Sequence, residues 1–255
     1  MAPFWIEPSD KTFRFPDVSL ALPEPDGLLA VGGDLSPERL QAAYRHGIFP
    51  WYNHDQPILW WAPNPRAVLF PDHLKISRSL QKTLRKILRN ESFTITTDKA
   101  FSEVVEACSG PRENEINDDK ESEPGTWITS EMKQAYQQLH EIGVAHSVEC
   151  WLDDKLVGGL YGVALGQVFF GESMFTRVTD ASKVAFVHLV KQLTLWDFKL
   201  IDCQITSAHL ESLGAETIHR EQFIQLLDQY CEAPGKPGPW QIADSEHLLK
   251  LSPQQ

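Results

Sequence analysis

The amino-acid sequence predicts an α+β fold. A small N-terminal domain is expected over residues 1–62, and a larger domain over 63–255 with a mixed, mainly antiparallel sheet flanked by helices. Three observations predict it. The apolar strand patterns HSVECWL, KLVGGLYGVAL and QVFFGESMF follow one another closely, with turns at Asp153-Asp154 and Gly166. A helical pattern and a further strand, KLIDCQ, come next. The N-terminal stretch, to about Ala62, is rich in Pro and aromatic residues and poor in strand pattern.

Within that stretch a single helix is clear. Ser36 stands as N-cap and Pro37 at N1, ERLQAAYRH follows, and Gly47 closes it. A loop-rich link, GIFPWYNHDQPILWWAPNP, carries three Trp. Ser77 to Arg89 is a helix with Leu80, Leu84, Ile87 and Leu88 on its inner face. FTITT (93–97) is a strand, and Asp98 is expected to cap a helix running through Cys108. The run 110–124, GPRENEINDDKESEP, reads as a disordered acidic insert. Residues 130–142 form a helix ended by Gly143. After the three strands a helix runs from Asp180 or Ala181 to about Leu195. Two more follow KLIDCQ and end near Cys231. Three antiparallel strands, a helix and a strand make an acyltransferase-like unit of the N-acetyltransferase kind, and a fold alone does not fix a reaction.

Composition sets bounds. The chain has 255 residues, is 42% hydrophobic and carries a net charge of −12. It can bury a real core. It holds no 18-residue apolar run, so no membrane span is expected. The start, MAPFWIEPSDKTFRFP, lacks a basic segment followed by an apolar one and is not read as a signal peptide. Cys108, Cys150, Cys203 and Cys231 lie far apart without CxxC spacing, which suits reduced, mostly buried thiols in a cytoplasmic protein. The acidic balance argues against indiscriminate nucleic-acid binding. Yet the segment 75–89 holds six bases and no acid, whereas 110–124 holds six acids and two bases.

Three constellations stand out. Arg78, Lys82, Arg85, Lys86 and Arg89 recur at spacings of three and four, so much of their charge shares one helix face. A solvated face is the plain alternative; the lack of any interleaved acid favours phosphate contact. Trp51, Trp60, Trp61 and Trp127 lie in loops or beside Gly and Pro. At least two are expected to be core staples only, although a loop Trp can stack on a base for about 1–3 kcal/mol. In QVFFGESMF the carboxylate of Glu172 interrupts an apolar strand, between a glycine and a serine. An ionised carboxylate is costly to bury alone, and a strand glycine often marks a close approach. Asp202 and Gln204 sit at i and i+2 of the next strand and are expected on one face. A satisfied buried network would explain either intrusion alone; two in neighbouring strands bring a site to an even footing with that alternative.

Other chemistries find little support. The nine His show no HExxH or HxH spacing and no zinc pairing with Cys, so no metal is expected. Ser173 fails the G-x-S-x-G elbow. No P-loop or GxGxxG occurs, and RVTDASK rather than a glycine-rich turn enters the 181–195 helix. A pyrophosphate-bearing cofactor such as coenzyme A would favour bare backbone N–H groups there. No cofactor is expected.

Long collinear stretches carry a resemblance: EPDGLLAVGGDLSPERLQAAYRHGIFPWY, PILWWAPNPRAVLFP, ISRSL, GTWIT, HSVECW, LVGGLYGVALGQVFFGESMF, ASKVAF and LIDCQ. Together they resemble the bacterial leucyl/phenylalanyl-tRNA–protein transferases over nearly the whole chain. The resemblance implies transfer of Leu or Phe from aminoacyl-tRNA to proteins beginning with Arg or Lys, which marks them for N-degron proteolysis. It implies an acetyltransferase-like C-terminal domain with no metal or coenzyme. By motif, Trp51 and Trp127 correspond to groups around the terminal adenosine, and Glu172, Asp202 and Gln204 to catalytic groups at the reacting centre. Leu160, Met174, Phe186, Leu189 and Ile201 match the pocket for the transferred side chain, and the stretch around ISRSL matches the tRNA-contacting helix. The acidic insert departs from the family pattern.

The implied chemistry is simple. The ester is already activated, and the attacking α-amine, with an ordinary pKa near ~8, must be neutral. Holding amine and ester in line can supply most of the acceleration. Gln204 can accept from the amine and Asp202 can orient Gln204 or hold charge, while Glu172 can attract the amine or the basic acceptor side chain. The partners expected are aminoacyl-tRNA and peptide acceptors, with no membrane, and the chain is expected to act as a monomer. Two readings stay open beside this one: a coenzyme A-dependent N-acetyltransferase and a non-catalytic RNA-binding protein.

Overall fold

The computed structural model describes residues 2–90, 93–110 and 128–250. The N-terminal region holds a small sheet of β1 (Phe4–Ile6), β2 (Leu28–Gly32), β3 (Phe49–Pro50) and β4 (Leu59–Trp61), in the order β1-β2-β4-β3. This corrects the expectation of little strand there. These strands are two to five residues long, too short for a period-two pattern, and β3 uses Pro50 at a sheet edge. Helix α1 (Pro37–Arg45) forms as its sequence dictates, with Pro37 in the first turn and Gly47 at a φ of +72° after its end.

The larger sheet contains β5 (Arg66–Leu69), β6 (Thr94–Thr97), β7 (Ala145–Leu152), β8 (Lys155–Leu165), β9 (Val168–Thr176), β10 (Leu200–Gln204) and β11 (Glu216–Ile218). Their order is β11-β5-β10-β9-β8-β7-β6. Every neighbouring pair in it is antiparallel except β9 with β10. Asp153 and Asp154 both take positive φ, the geometry of a two-residue hairpin that follows the sheet's twist.

Helices cover both faces. One face carries α1, α3 (Phe101–Cys108), α4 (Ser130–Glu141) and α7 (Arg220–Tyr230), whose apolar sides share a core with Trp60 and Phe49 of the small sheet. The small sheet therefore packs into the same core as Val68, Tyr161 and Phe170 of the large one. The other face carries α2 (Arg78–Asn90) and α5 (Ala181–Leu195), with α8 (Ser245–Lys250) beside them. Along β10 the pleat sends Leu200 to the first core and Ile201 to the second. Helix α5 is buried nearly all round because it lies between the sheet and the helices α2 and α8, and its start is close against the sheet: a Cβ on Gly158 would come within 2.6 Å of the Ala181 Cβ. The short α6 (Ala208–Ser212) follows β10.

Two further expectations change. Asp98 does not cap α3, whose N-cap is Ala100. Its carboxylate instead accepts from the Ser147 and Trp240 backbone N–H groups at 3.0 and 2.7 Å and lies 2.8 Å from His146 Nδ1. The acidic insert falls outside the described residues, apart from Gly110. No helix among the described residues is long and apolar enough to cross a membrane.

Candidate active site

The site begins at two irregularities in neighbouring strands. Between β8 and β9, Tyr161 faces Ser173 and Gly162 faces Gly171, so Glu172 is an extra residue, a β-bulge. Between β10 and β5, Asp202 faces Val68 and Gln204 faces Ala67, so Cys203 is extra in the same sense. The parallel ladder of β9 with β10 runs from Leu200↔Val168 to Asp202↔Phe170 and stops there. Both strands continue, and a cavity of about 640 Å³ lies where their pairing ends. Gln204 takes a φ of +62°, a left-handed conformation rare for a side-chain-bearing residue. Asp202 and Gln204 thus do not occupy a regular i, i+2 pair on one face, and the sequence expectation is corrected on that point. The bulge nonetheless brings Gln204 to Glu172.

Glu172 is buried and closely held. Tyr44 Oη of α1 donates to its Oε1 at 2.7 Å, Tyr136 Oη of α4 donates to its Oε2 at 2.5 Å, and Gln204 Nε2 donates to Oε1 at 3.0 Å. The two Tyr oxygens are also 2.7 Å apart. Three oxygen groups in mutual contact need three hydrogens to fill every contact. The two phenols supply two, and the third is present only when Glu172 is protonated. Burial pushes the Glu172 carboxyl up to about 7, against the pull of the Tyr136 and Tyr44 hydroxyls, with the negative Asp202 adding to the rise. Burial and the nearby Glu172 charge hold both phenols well above 10, so they remain donors.

Asp202 is fully buried and faces a different partner. Arg66 Nε donates to its Oδ1 at 2.8 Å and Arg66 Nη2 to its Oδ2 at 2.6 Å, a bidentate pair. The guanidinium lies between the rings of Phe49 and Phe223, at 4.8 and 4.7 Å from their centres. Asp202 Oδ1 also accepts the backbone N–H of Gln204 at 2.9 Å.

The cavity's apolar wall comes from Leu160, Met174, Phe186, Leu189 and Ile201, on β8, β9, α5 and β10. Trp51 is on its lining, 42% exposed, and its carbonyl accepts the Trp61 indole N–H at 2.7 Å. Trp60 is a core staple, donating to the Gly32 carbonyl. Trp127 and the side chain of Arg89 lie outside the described residues. Arg78, Lys82, Arg85 and Lys86 are exposed along α2, while Leu80, Leu84 and Ile87 are buried against the α5 core. Thr83 Oγ1 donates to Asp180 Oδ2 at 2.9 Å, tying α2 to the start of α5. Among the described residues no group of three or more His, Cys, Asp or Glu could hold a metal ion.

Sequence reasoning missed Arg66, Tyr44 and Tyr136. Arg66 had a signal: a charge opening the apolar run RAVLF. Tyr44 and Tyr136 had none, since a Tyr on a helix's apolar face is ordinary core.

Comparison with known proteins bears on this geometry. A family profile described as leucyl/phenylalanyl-tRNA protein transferase matches residues 68–228, and the profile of that enzyme's N-terminal domain matches residues 33–64. A leucyl/phenylalanyl-tRNA–protein transferase of Nitrosomonas europaea is 57% identical over 226 residues, covering 89% of this chain and 91% of the relative. One from Stutzerimonas stutzeri is 55% identical over 230 residues, covering 90% and 96%. Among solved structures, a GCN5-related N-acetyltransferase from Kribbella flavida overlaps 71% of this chain and 60% of its own at 11% identity, with a TM-score of only 0.34.

Proposed function

The chain belongs to the leucyl/phenylalanyl-tRNA–protein transferase family, and from that premise we propose that it moves Leu or Phe from aminoacyl-tRNA to the α-amine of proteins beginning with Arg or Lys, marking them for N-degron proteolysis. The reaction belongs in the cytoplasm, where aminoacyl-tRNA is made.

One observation carries this reading: an apolar cavity lies at the gap between β9 and β10, with the hydrogen-bonded pair Glu172–Gln204 on its lining. The Leu160, Met174, Phe186, Leu189 and Ile201 wall suits an apolar side chain not branched at Cβ, such as that of Leu or Phe, and Trp51 offers a half-exposed ring to the terminal adenine. Because Gln204 gives its Nε2 to Glu172, its amide oxygen is the atom left for the attacking amine. The amine nitrogen bonds to the ester carbon, the C–O bond to the ribose breaks, and one amine proton ends on the ribose oxygen. Positioning supplies the acceleration, since the ester needs no further activation. Arg78, Lys82, Arg85, Lys86 and Arg89 are assigned to tRNA phosphates, and Trp127 to the adenosine with Trp51.

A coenzyme A donor fits less well. Asp180 sits at the N-cap of α5, where a pyrophosphate would need bare N–H groups and positive potential. The deciding experiment is mass spectrometry of an Arg-starting peptide after incubation with Leu-tRNA, Phe-tRNA or acetyl-CoA. A mass gain of Leu or Phe supports the proposal. An acetyl gain, or RNA retention with no gain at all, overturns it.

A further inference from the structure

Gln204 can accept from the amine only if its amide is aimed, and its backbone is in an unfavourable place. A Gln at a φ of +62° at the end of a strand does not hold itself there. One bond visibly does: its N–H is received by Asp202 Oδ1 at 2.9 Å, the local turn that Asp makes with the residue two positions on. That same oxygen, with its twin, is gripped by both prongs of Arg66. Arg66 is fixed in turn between Phe49 and Phe223, and both members of the pair are buried, at 1% and 0% side-chain exposure. The carboxylate of Asp202 is therefore spent on a guanidinium and a backbone N–H, and its charge is answered inside the protein.

From this geometry we infer that Arg66 is a positioning residue for aminoacyl transfer: the Arg66–Asp202 clamp holds Gln204 in its left-handed conformation, and the negative charge of Asp202 takes no part in the reaction. The inference rests on the aminoacyl-transfer reading of the site. It differs from any scheme in which Asp202 stabilises developing positive charge on the amine. Two consequences follow. Removing one member of the clamp leaves the other buried without its partner and disturbs Gln204. Removing both charges together, while keeping an oxygen for the Gln204 N–H, leaves Gln204 in place.

The test is a rescue. In Asp202→Asn alone, the new NH2 must face a donor whichever way the amide turns. At the Oδ2 position it meets Arg66 Nη2, and at the Oδ1 position both Arg66 Nε and the Gln204 N–H, so the fork is broken and the oxygen that receives the Gln204 N–H is no longer held in place. In Arg66→Gln with Asp202→Asn, the Asn oxygen can accept from Gln204 N–H and its NH2 can donate to the Gln oxygen. Each single variant is expected to lose on the order of 100-fold in kcat with Leu-tRNA and an Arg-starting peptide, with tRNA affinity unchanged. The double variant is expected to return to within about 10-fold of the parent. Hydrogen exchange at the Gln204 amide reads the clamp without reference to activity: protected in the parent and the double variant, fast in either single one. A folded, tRNA-binding double variant with a protected Gln204 amide and the activity of Asp202→Asn would overturn the inference, because the charge would then be needed. Arg66→Lys is a second variant for the case in which the double one fails to fold. It keeps the charge and loses the fork, so near-parent activity would overturn the clamp, and a 100-fold loss supports it. An inactive parent protein with normal Gln204 protection would instead count against the proposed function and leave the clamp standing.

Discussion

Glu172→Gln separates what the buried carboxyl does for the fold from what it does for the reaction. Burial raises its pKa from an ordinary 4.5 to about 7. The folded protein therefore keeps a proton that the unfolded chain has released throughout the window from 4.5 to 7. Stability is linked to that difference: it is fully present below pH 4.5 and falls as pH rises through the window, because the folded state binds more protons there. At about 1.4 kcal/mol per pH unit, the shift amounts to about 3 kcal/mol by pH 8. The amide of the variant cannot titrate. Its NH2 can donate to Tyr44 while its oxygen accepts from Tyr136, so all three contacts of the triangle fill at any pH. The variant should lose the parent's decline in stability between pH 5 and 8 and gain about 3 kcal/mol on it at the upper end, measured as urea melts at both values. Transfer should move the other way. The second hydrogen of the introduced NH2 faces Gln204, turns that amide over, and presents NH2 to the amine in place of oxygen, at a cost of about 100-fold in kcat. Equal pH dependence of stability in parent and variant would refute the reasoning about Glu172, whatever the activity did.

The remaining predictions follow from separate regions of the molecule. Replacing Lys82, Arg85 and Arg89 by Ala should weaken tRNA binding and flatten its salt dependence by about one unit of slope per lost phosphate contact, while transfer from a minimal aminoacyl-adenosine survives; equal loss with the minimal donor would count against phosphate contact. A closed apolar pocket distinguishes a methylene by only ~1–3 kcal/mol, so Met should be transferred alongside Leu and Phe, whereas Val and Ile, branched at Cβ, should be rejected on shape; competition between charged tRNAs reads this directly, and efficient Val transfer would remove Leu160, Met174, Phe186, Leu189 and Ile201 from the pocket. Gly158→Ala should destabilise by about 1–3 kcal/mol in urea, since its Cβ would lie 2.6 Å from that of Ala181 and push α5 off the sheet; an unchanged midpoint would show that α5 can move freely.

How far the sequence revealed this protein depended on the length of each signal. The strands β7, β8 and β9 and the helix α5 were readable because eight or more residues repeat one pattern under turn residues such as Asp153-Asp154. The strands β1, β3 and β11 were not, because two or three residues carry no period. Glu172, Asp202 and Gln204 announced themselves as polar intrusions into apolar strands. Their arrangement did not, because the alternation of side chains assumes a regular ladder, and both strands break it at this place. A bulge adds one residue without changing composition, so nothing in GESMF or LIDCQ marks which residue is extra. The same irregularity explains why the intrusions are tolerated. Once the β9–β10 ladder ends at Phe170 and Asp202, both strands run on past their mutual pairing, and polar side chains can enter from either. Tyr44 and Tyr136 then bring hydroxyls from the helices α1 and α4 to Glu172, and Arg66 brings a guanidinium from β5 to Asp202. Each carboxyl was legible alone, but its partner lies between 36 and 136 residues away in the chain, where only the fold could reveal it. Arg66 is the instructive case. A charge in RAVLF contradicts a buried strand until the Asp202 carboxylate is brought within its reach, and Asp202 contradicts β10 in the same way. Two contradictions of opposite sign in strands of one sheet are a reason to pair those strands, and β5 does lie beside β10.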